Sequence, residues 1–384
     1  MGKSVTTSLT KKLGWDGPAD RYVVWVVLFL AALGVVAVYS AISFLAATKS
    51  GGDTERFLLR HVARVGAALA VMLFFSGIDY RKLARFSQIA LAATLGLLVV
   101  VQIVGVASGG ATRWIRFGSV GFQPSDLARV ALILYVGVLL AKKQDYIKSF
   151  SRAFIPVFVW ILLACVLIGI EDLSTALMLL VATAVMCFVA RVSVLHLGGL
   201  GAVASLLAIL LLLGSPGRAA RVESYLGMKL FPHTATEEVF NEQGEGYQAQ
   251  QARIAFAMGG LTGVGPGKSV QRDFLPAPYN DFIFAIVAEE YGLLGALVLL
   301  GAFVALLFRG FLRIARHAPD PLGLFVGVGL TVSVVLYAFV HAGVACGLLP
   351  VTGLPLPFVS YGGTSMVATG MMLGILLNIS RQCR

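Results

Sequence analysis

Long apolar runs separated by short polar breaks dominate the chain. They fall at roughly 22–46, 62–77, 86–106, 126–141, 154–170, 173–190, 195–213, 282–308, 322–346 and 365–379. A helix needs about 20 residues to cross the hydrocarbon layer, so the pattern predicts an all-α polytopic membrane protein with about ten transmembrane helices. The pattern stops once for long, over 214–280, between the seventh and eighth runs. The first half of that interval is polar and acidic (Glu237, Glu238, Glu242, Glu245). Its middle carries Ile254, Ala257 and Met258 at i, i+3 and i+4, the spacing of a short membrane-facing helix. No internal repeat and no separate soluble domain is visible, so residues 1–384 read as one membrane domain with tails at 1–21 and 380–384.

Between the last two runs, residues 347–365 place Pro350, Pro355 and Pro357 among Gly353, Gly362 and Gly363. Proline removes backbone donors and glycine opens turns closed to other residues, so this segment cannot continue a helix. Irregular backbone at membrane depth is tolerated only where it is buried in protein or lines a watery cavity. The segment reads as the wall of a site, or as a re-entrant loop of a carrier.

Composition agrees: 58% of residues are hydrophobic and 13% charged, against about 25% charged in soluble domains. The net charge of +11 is chiefly a topology signal and not a nucleic-acid footprint. With the N-terminus inside, more than half of the 30 Lys and Arg fall in cytoplasmic segments, among them Lys11, Lys12, Arg81, Lys82, Lys142, Lys143, Lys148, Arg309, Arg313 and Arg316. Positive residues favour the cytoplasmic side, so both ends are expected there, with the 214–280 loop outside. Cys165, Cys187 and Cys346 sit in apolar runs and Cys383 in the tail, which points to packing and not to a metal or redox centre. The first run is too long for a signal-peptide core and should remain as an anchor.

The stretch GGLTGVGPGKS at 259–269 invites a phosphate-loop reading and fails it. A Walker motif needs a glycine five residues before Gly267, where Thr262 stands, and no βαβ strand precedes it. Asp281 is the stronger candidate for chemistry. It follows Pro276 and Pro278 and stands where the eighth run begins, exposing a carboxylate at the outer interface or simply capping the helix. Glu289 and Glu290 lie about 12–14 Å deeper, some 80° and 180° around the helix from Asp281. They therefore serve interior hydrogen bonds or ion pairs, since lone membrane carboxylates are costly. A second cluster occupies 109–130: Ser125 as a cap, Asp126 in the first turn, and Arg129 three residues on and nearly on the same face. These two make a mutually neutralising pair or a binding pair. Arg113, Trp114 and Arg116 lie outside at the interface, as anchors or as a bidentate grip on a diphosphate.

These motifs together resemble the SEDS proteins, the FtsW and RodA family. The resemblance is carried by Arg113-Trp114-Ile115, Gln123-Pro124-Ser125 with Asp126 and Arg129 in place of a glutamate and a lysine, Leu275-Pro276, Asp281-Phe282-Ile283-Phe284-Ala285, and the 347–365 segment. Asp20, Tyr39-Ser40-Ala41, Asp172, Thr175, Arg218, Arg221, Gln248 and Gln251 also match. Departures are Ala277, Pro278, Tyr279 and Asn280 before the aspartate, Glu171-Asp172-Leu173-Ser174 for Pro-Asp-x-Gly, and His341 for asparagine. His341 otherwise reads as a packed residue.

The resemblance implies a peptidoglycan glycosyltransferase polymerising lipid II at the outer face of the bacterial cytoplasmic membrane, with Asp281 as the base. It implies a substrate-binding set of Arg113, Trp114, Asp126, Arg129, Arg218, Arg221, Gln251, Lys268, Ser360, Gly362 and Gly363. It also implies a class B penicillin-binding protein and other division or elongation machinery as partners, divalent-cation assistance (Mg2+ or Mn2+) and no organic cofactor. The wording of 268–276 favours the division subtype over elongation. A lipid II flippase and a non-catalytic scaffold for a transpeptidase are the alternative readings.

Overall fold

The computed structural model describes residues 17–49, 54–104, 106–108, 111–117, 120–228 and 245–383. Its helices are α1 (Arg21–Lys49), α2 (Thr54–Ser76), α3 (Tyr80–Val104), α4 (Pro124–Lys142), α5 (Ile155–Glu171), α6 (Leu173–Val189), α7 (Val194–Leu213), α8 (Pro216–Leu226), α9 (Glu245–Gly259), α10 (Ile283–Phe308), α11 (Pro321–Ala345) and α12 (Thr364–Gln382). Eight of them, α1 to α5, α7, α10 and α11, are long and apolar enough to cross a membrane. The shorter, 17-residue α6 is also apolar, and the 19-residue α12 occupies the place of the tenth run.

Burial sorts these helices into layers. In α4 and α11, 78% and 83% of the spanning window is buried, against 11% in α7. The first two therefore form the centre, and α7 faces lipid along almost its whole surface. α12 closes the core against α2 through Gly370 and Gly374, where an added Cβ would lie 2.3 Å from the Ala68 carbonyl oxygen and 2.5 Å from that of Met72. Small residues one turn apart let backbones approach closely, the usual currency of helix association in lipid.

Aspartates start several helices as caps. Asp20 accepts from Tyr22 N–H and Val23 N–H, Asp172 from Thr175 N–H, and Asp320 from Gly323 N–H with Pro321 at the first helical position. At the end of the bundle that holds both described chain ends, Asp320 also accepts from Arg81 Nε at 2.6 Å and from the Tyr80 hydroxyl at 2.9 Å. Asn378 accepts from Tyr80 N–H and donates to the Ser76 carbonyl. The junction of α2 and α3 is thereby pinned to α11 and α12.

Three features depart from the sequence expectation. α2 begins at Thr54 and not near 62, with Glu55 in its first turn, where a carboxylate suits the helix dipole, and with Arg56, Arg60 and Arg64 recurring every fourth residue on one face. Three strands, β1 (Val106–Ser108), β2 (Ala111–Phe117) and β3 (Val120–Phe122), pair as an antiparallel sheet in the order β1-β2-β3. α4 starts with Gln123 as its cap residue and Pro124 at the first turn, and the Ser125 hydroxyl accepts from the Gln123 amide instead of capping. α9 agrees with that expectation: Ile254 and Met258 face outward while Ala252 and Ala255 are buried, because the small residues allow close approach to α10.

The eighth run is also not one continuous helix. α10 breaks at Gly292, which has φ 67° and ψ −169°, a conformation only glycine adopts cheaply. The glycine-rich stretch after α9 repairs the break. Val264 and Gly265 N–H donate to the Glu289 and Glu290 carbonyls, and Leu293 and Leu294 N–H donate to the Gly260 and Leu261 carbonyls. An added Cβ at Gly263 would sit 2.1 Å from the Glu290 carbonyl oxygen. The stretch that fails as a phosphate loop supplies backbone partners to an interrupted membrane helix, as the absence of water requires.

Candidate functional site

Asp281 sits in the last turn of the loop before α10, half-buried, one residue before the cap position of that helix. That position is Phe282, and no side chain caps it. Asp281 therefore precedes the cap position and does not occupy it. What fixes it is the irregular 347–363 segment. The Ser360 hydroxyl donates to the Asn280 carbonyl at 2.8 Å and accepts from Leu356 N–H at 2.8 Å, while Tyr361 N–H donates to the Tyr279 carbonyl at 2.9 Å. The Tyr279 and Tyr361 rings meet edge to face at 5.5 Å. Burial, then the neighbouring Tyr361 and Asp281, hold the Tyr279 phenol above its ordinary pKa.

The 347–363 segment is itself held on several sides. His341 Nδ1 donates to the Leu354 carbonyl at 2.7 Å, the Tyr225 hydroxyl of α8 donates to the Leu348 carbonyl at 2.7 Å, and Arg253 of α9 reaches the Gly347 carbonyl at 3.3 Å. On the α2 side, Tyr361 stacks on His61 at 5.6 Å and lies under the Arg64 guanidinium at 4.3 Å. Phe358 holds a left-handed φ of 61°, a strained conformation of the kind concentrated at functional sites.

Past Gly363 the segment enters α12, and Thr364 donates to Asp126 Oδ2 at 2.8 Å. Asp126 and Arg129 are both buried and 3.8 Å apart. The Arg129 guanidinium lies 4.1 Å from the Tyr337 ring centroid, and its Nε has no hydrogen-bond partner among the described residues. The Tyr337 hydroxyl contacts Thr175 Oγ1 at 3.3 Å, and Thr175 N–H is capped by Asp172. A polar chain thus runs from Thr364, at the start of the helix that the clamping segment enters, through Asp126, Arg129, Tyr337 and Thr175 to Asp172.

Asp172 opens onto a cavity of about 740 Å³ between α6, α7, α8 and the 347–363 segment, lined also by Glu171, Arg218, Arg221, Pro350 and Thr352. Its apolar wall includes Leu177, Leu210 and Val340. Arg218 spends donors on the Ile170 and Leu211 carbonyls near the ends of α5 and α7. Neither Asp281 nor Arg129 lines this cavity.

Chain 37% identical to Stage V sporulation protein E of Bacillus subtilis over 369 residues, spanning 95% of this chain and 98% of that protein, the sequence also matches the FtsW, RodA and SpoVE model, described as cell cycle protein, over residues 21–384. The chain belongs to the FtsW, RodA and SpoVE family. A probable peptidoglycan glycosyltransferase FtsW of Geobacter metallireducens is 37% identical over 372 residues, covering 95% of this chain and 96% of that protein. Among solved structures, a chain from a study of polymerization and crosslinking by a peptidoglycan synthase complex superposes with a TM-score of 0.74 at 27% identity, covering 94% of this chain and 98% of that one. Thermus thermophilus RodA does so at 0.67 and 27%, covering 94% and 97%. The SEDS resemblance and the polytopic helical fold are therefore established for this chain.

Within this family member the structure brings together only some of the residues singled out in the sequence. Asp281, Ser360, Gly362 and Gly363 share one loop pair; Asp126 and Arg129 adjoin it; Arg218 and Arg221 lie at the cavity. Ser360 is 1% exposed, and its hydroxyl is engaged on both sides. Gln251 is half-buried on α9, and Lys268 is exposed with its side chain against Gly265. Arg113 and Trp114 lie on β2, and their side chains fall outside the described residues. Glu289, fully buried, accepts from the Ser269 hydroxyl and from Val270 and Gln271 N–H. Glu290 accepts from the Ser40 hydroxyl, which is also approached by Arg272. Both carboxylates therefore brace the loop and take no place beside Asp281.

The sequence reading missed Tyr337, Thr364, Tyr361 and Arg64. Arg64 had a signal, the four-residue basic repeat on α2. Among the described residues no group of three or more His, Cys, Asp or Glu side chains is placed to hold a metal ion, so no residue is assigned to the divalent cation that the resemblance implies.

Proposed function

We propose that this chain polymerises lipid II into β-1,4 glycan strands at the outer face of the bacterial cytoplasmic membrane, with both termini cytoplasmic. The observation that carries the reading is the double clamp of Ser360 and Tyr361 on the backbone of Asn280 and Tyr279, which presents Asp281 from a rigid loop beside the membrane. Asp281 accepts the proton of the acceptor GlcNAc 4-hydroxyl as that oxygen attacks the anomeric carbon of the donor MurNAc. The bond to the polyprenyl diphosphate breaks, and the single displacement inverts an α-linked diphosphate to a β-1,4 bond. General-base assistance of this kind is worth about 10²–10⁴-fold.

The adjacent cavity suits a lipid-linked diphosphate. Arg221 and Arg218 are at its polar rim and leucines and valines along its wall, so phosphate meets guanidinium and the polyprenyl tail meets hydrocarbon. Arg129, Asp126 and Ser360 position the loops, while Arg113, Trp114, Gln251 and Lys268 stay as candidates for contact with the saccharide or diphosphate. Among the described residues no group fits a protein-built metal cage, and no step is routed through a cation.

The partners proposed are a class B penicillin-binding protein and division machinery, supported by the relatives bearing the name FtsW. One observation favours lipid flipping instead: a helix interrupted between half-helices, as carriers use. The freed groups at Gly292 are taken by the 260–265 backbone and do not line a path, so polymerisation stands first.

The test is Asp281→Asn in purified protein supplied with lipid II. Asparagine keeps the shape of aspartate and ranks nearly equal to it where a helix begins, so folding and partner binding should persist, and polymerisation should fall by at least about 10²-fold. Near-normal glycan synthesis by the folded variant would overturn the assignment.

A further inference from the structure

At the opposite end of the bundle from Asp281, the ends of α1, α10 and α12 surround a cavity of about 330 Å³. The 26 residues of α10 separate it from the outer site by roughly 40 Å at 1.5 Å per residue. Arg21, Arg309, Arg313 and Arg381 line it, together with Asp20 and Tyr22.

Four guanidinium groups thus face one carboxylate, and that carboxylate is already committed. Asp20 Oδ2 accepts from Arg309 Nε at 2.7 Å, and Oδ1 accepts from Tyr22 N–H and Val23 N–H. Arg309 also lies over the Tyr22 ring at 4.4 Å. Asp20 and Arg309 therefore make the back wall, and Arg21 and Arg313 leave an uncompensated positive lip. Neither of these two pairs with a carboxylate among the described residues.

Local geometry reinforces this. α10 continues as a π-helix over Arg309–Ala315, a rare widening of the turn found mostly at functional sites. It places Arg309 and Arg313, four residues apart, on the same wall. The volume lies at the lower end of ligand sites, about 300–1,000 Å³, enough for a headgroup.

The depth of the cavity selects the ligand. Tyr22 and Trp25 are 67% and 69% exposed in the first turns of α1, the position of aromatic residues in an interfacial belt. A cluster of arginines at that level, between helices, fits the phosphate of an anionic phospholipid. We propose that this cavity binds the headgroup of an anionic glycerophospholipid, such as phosphatidylglycerol, from the leaflet on the side of the chain termini, clamping the ends of α1, α10 and α12 together.

The experiment is native mass spectrometry of the full chain released from micelles doped with equal phosphatidylglycerol and phosphatidylcholine. Wild-type protein should retain phosphatidylglycerol preferentially. Arg21→Gln/Arg313→Gln, which leaves the Asp20–Arg309 pair intact, should lower retention about tenfold, as expected for two cationic contacts to phosphate. Lys142→Gln/Lys148→Gln, exposed at the same membrane face, should not. Added phosphatidylglycerol should raise the wild-type melting temperature, as ligand linkage requires, and leave that of the double variant unchanged. Should the double variant not fold, Arg313→Gln alone and the wild-type preference between the two lipids decide the matter. Equal retention of both lipids, unaltered retention in the arginine variants, or displacement of the lipid by millimolar inorganic phosphate would each overturn the proposal, the last by identifying a soluble-anion site.

Discussion

The Ser360 hydroxyl donates to the Asn280 carbonyl at 2.8 Å, joining the two irregular segments one residue before Asp281. Because the same hydroxyl accepts from Leu356 N–H, it couples the fold of the 347–363 segment to the aim of the aspartate. Ser360→Ala leaves a buried donor and a carbonyl without this partner, which costs about 1–3 kcal/mol. The expected outcome is a lower melting temperature together with a larger relative loss in kcat than in KM for lipid II. Loss in KM alone would make Ser360 a substrate contact and not a positioning residue.

Gly292 carries the left-handed turn that interrupts α10, and a Cβ there would lie 2.4 Å from the Leu261 carbonyl oxygen. Gly292→Ala should remove the packing of the 260–265 backbone on α10. The strain alone is about 1–2 kcal/mol, and the clash with backbone adds to it. Size-exclusion chromatography and thermal melts in detergent should show a severely destabilised or misfolded protein. A variant melting like the wild type would mean that α10 can run through continuously.

The break at Gly292 also shows where sequence reasoning stops. Ten apolar runs were legible because each is contiguous, and Asp281 because two prolines isolate it at a helix start. Within AIVAEEYGLLG, Gly292 is an isolated glycine in an apolar helix pattern, which helices tolerate. Its conformation is dictated by backbone arriving from Gly260 and Leu261, some thirty residues earlier in the chain. Tyr337 was silent for a similar reason. A tyrosine in an apolar run looks like packing until Arg129, on another helix, is found against its ring. Arg129 and Asp126 were legible as a pair because both lie on one helix. The strands of 106–122 offered only short glycine-interrupted segments, without enough alternation to read.

The Asp126–Arg129 pair is buried on the central helix and bonded through Thr364 to the signature segment. Removing one partner of a buried pair costs about 3–5 kcal/mol, because an uncompensated charge stays behind. Asp126→Asn and Arg129→Gln should each destabilise strongly, and the double variant should lose less than the sum, with a coupling of about 0.5–3 kcal/mol. The reversed pair, Asp126→Arg with Arg129→Asp, should fold yet fail to restore polymerisation, because Thr364 and Tyr337 would then face the wrong groups. Full activity of the reversed protein would reduce the pair to charge neutralisation.

Asp320 provides a pH test at the other face. Burial alone would raise its pKa, but the bonds from Gly323 N–H, Arg81 and Tyr80 outweigh it and hold the carboxyl below its ordinary value. A carboxylate depressed in the folded state stabilises fully above its unfolded pKa, near 3.9, and that contribution is lost as pH falls through the lower folded value. Asp320→Asn keeps the cap, since Asn and Asp rank nearly equal there, but loses the charge that meets Arg81, so it should cost about 0.2–1 kcal/mol at neutral pH and progressively less as the medium is acidified below about pH 4. Melting temperatures of the two proteins from pH 7 down to the acid limit of the folded state should converge. A gap that stays constant through that range would show that the ionised form of Asp320 contributes nothing and that the α3–α11 junction is held by packing alone.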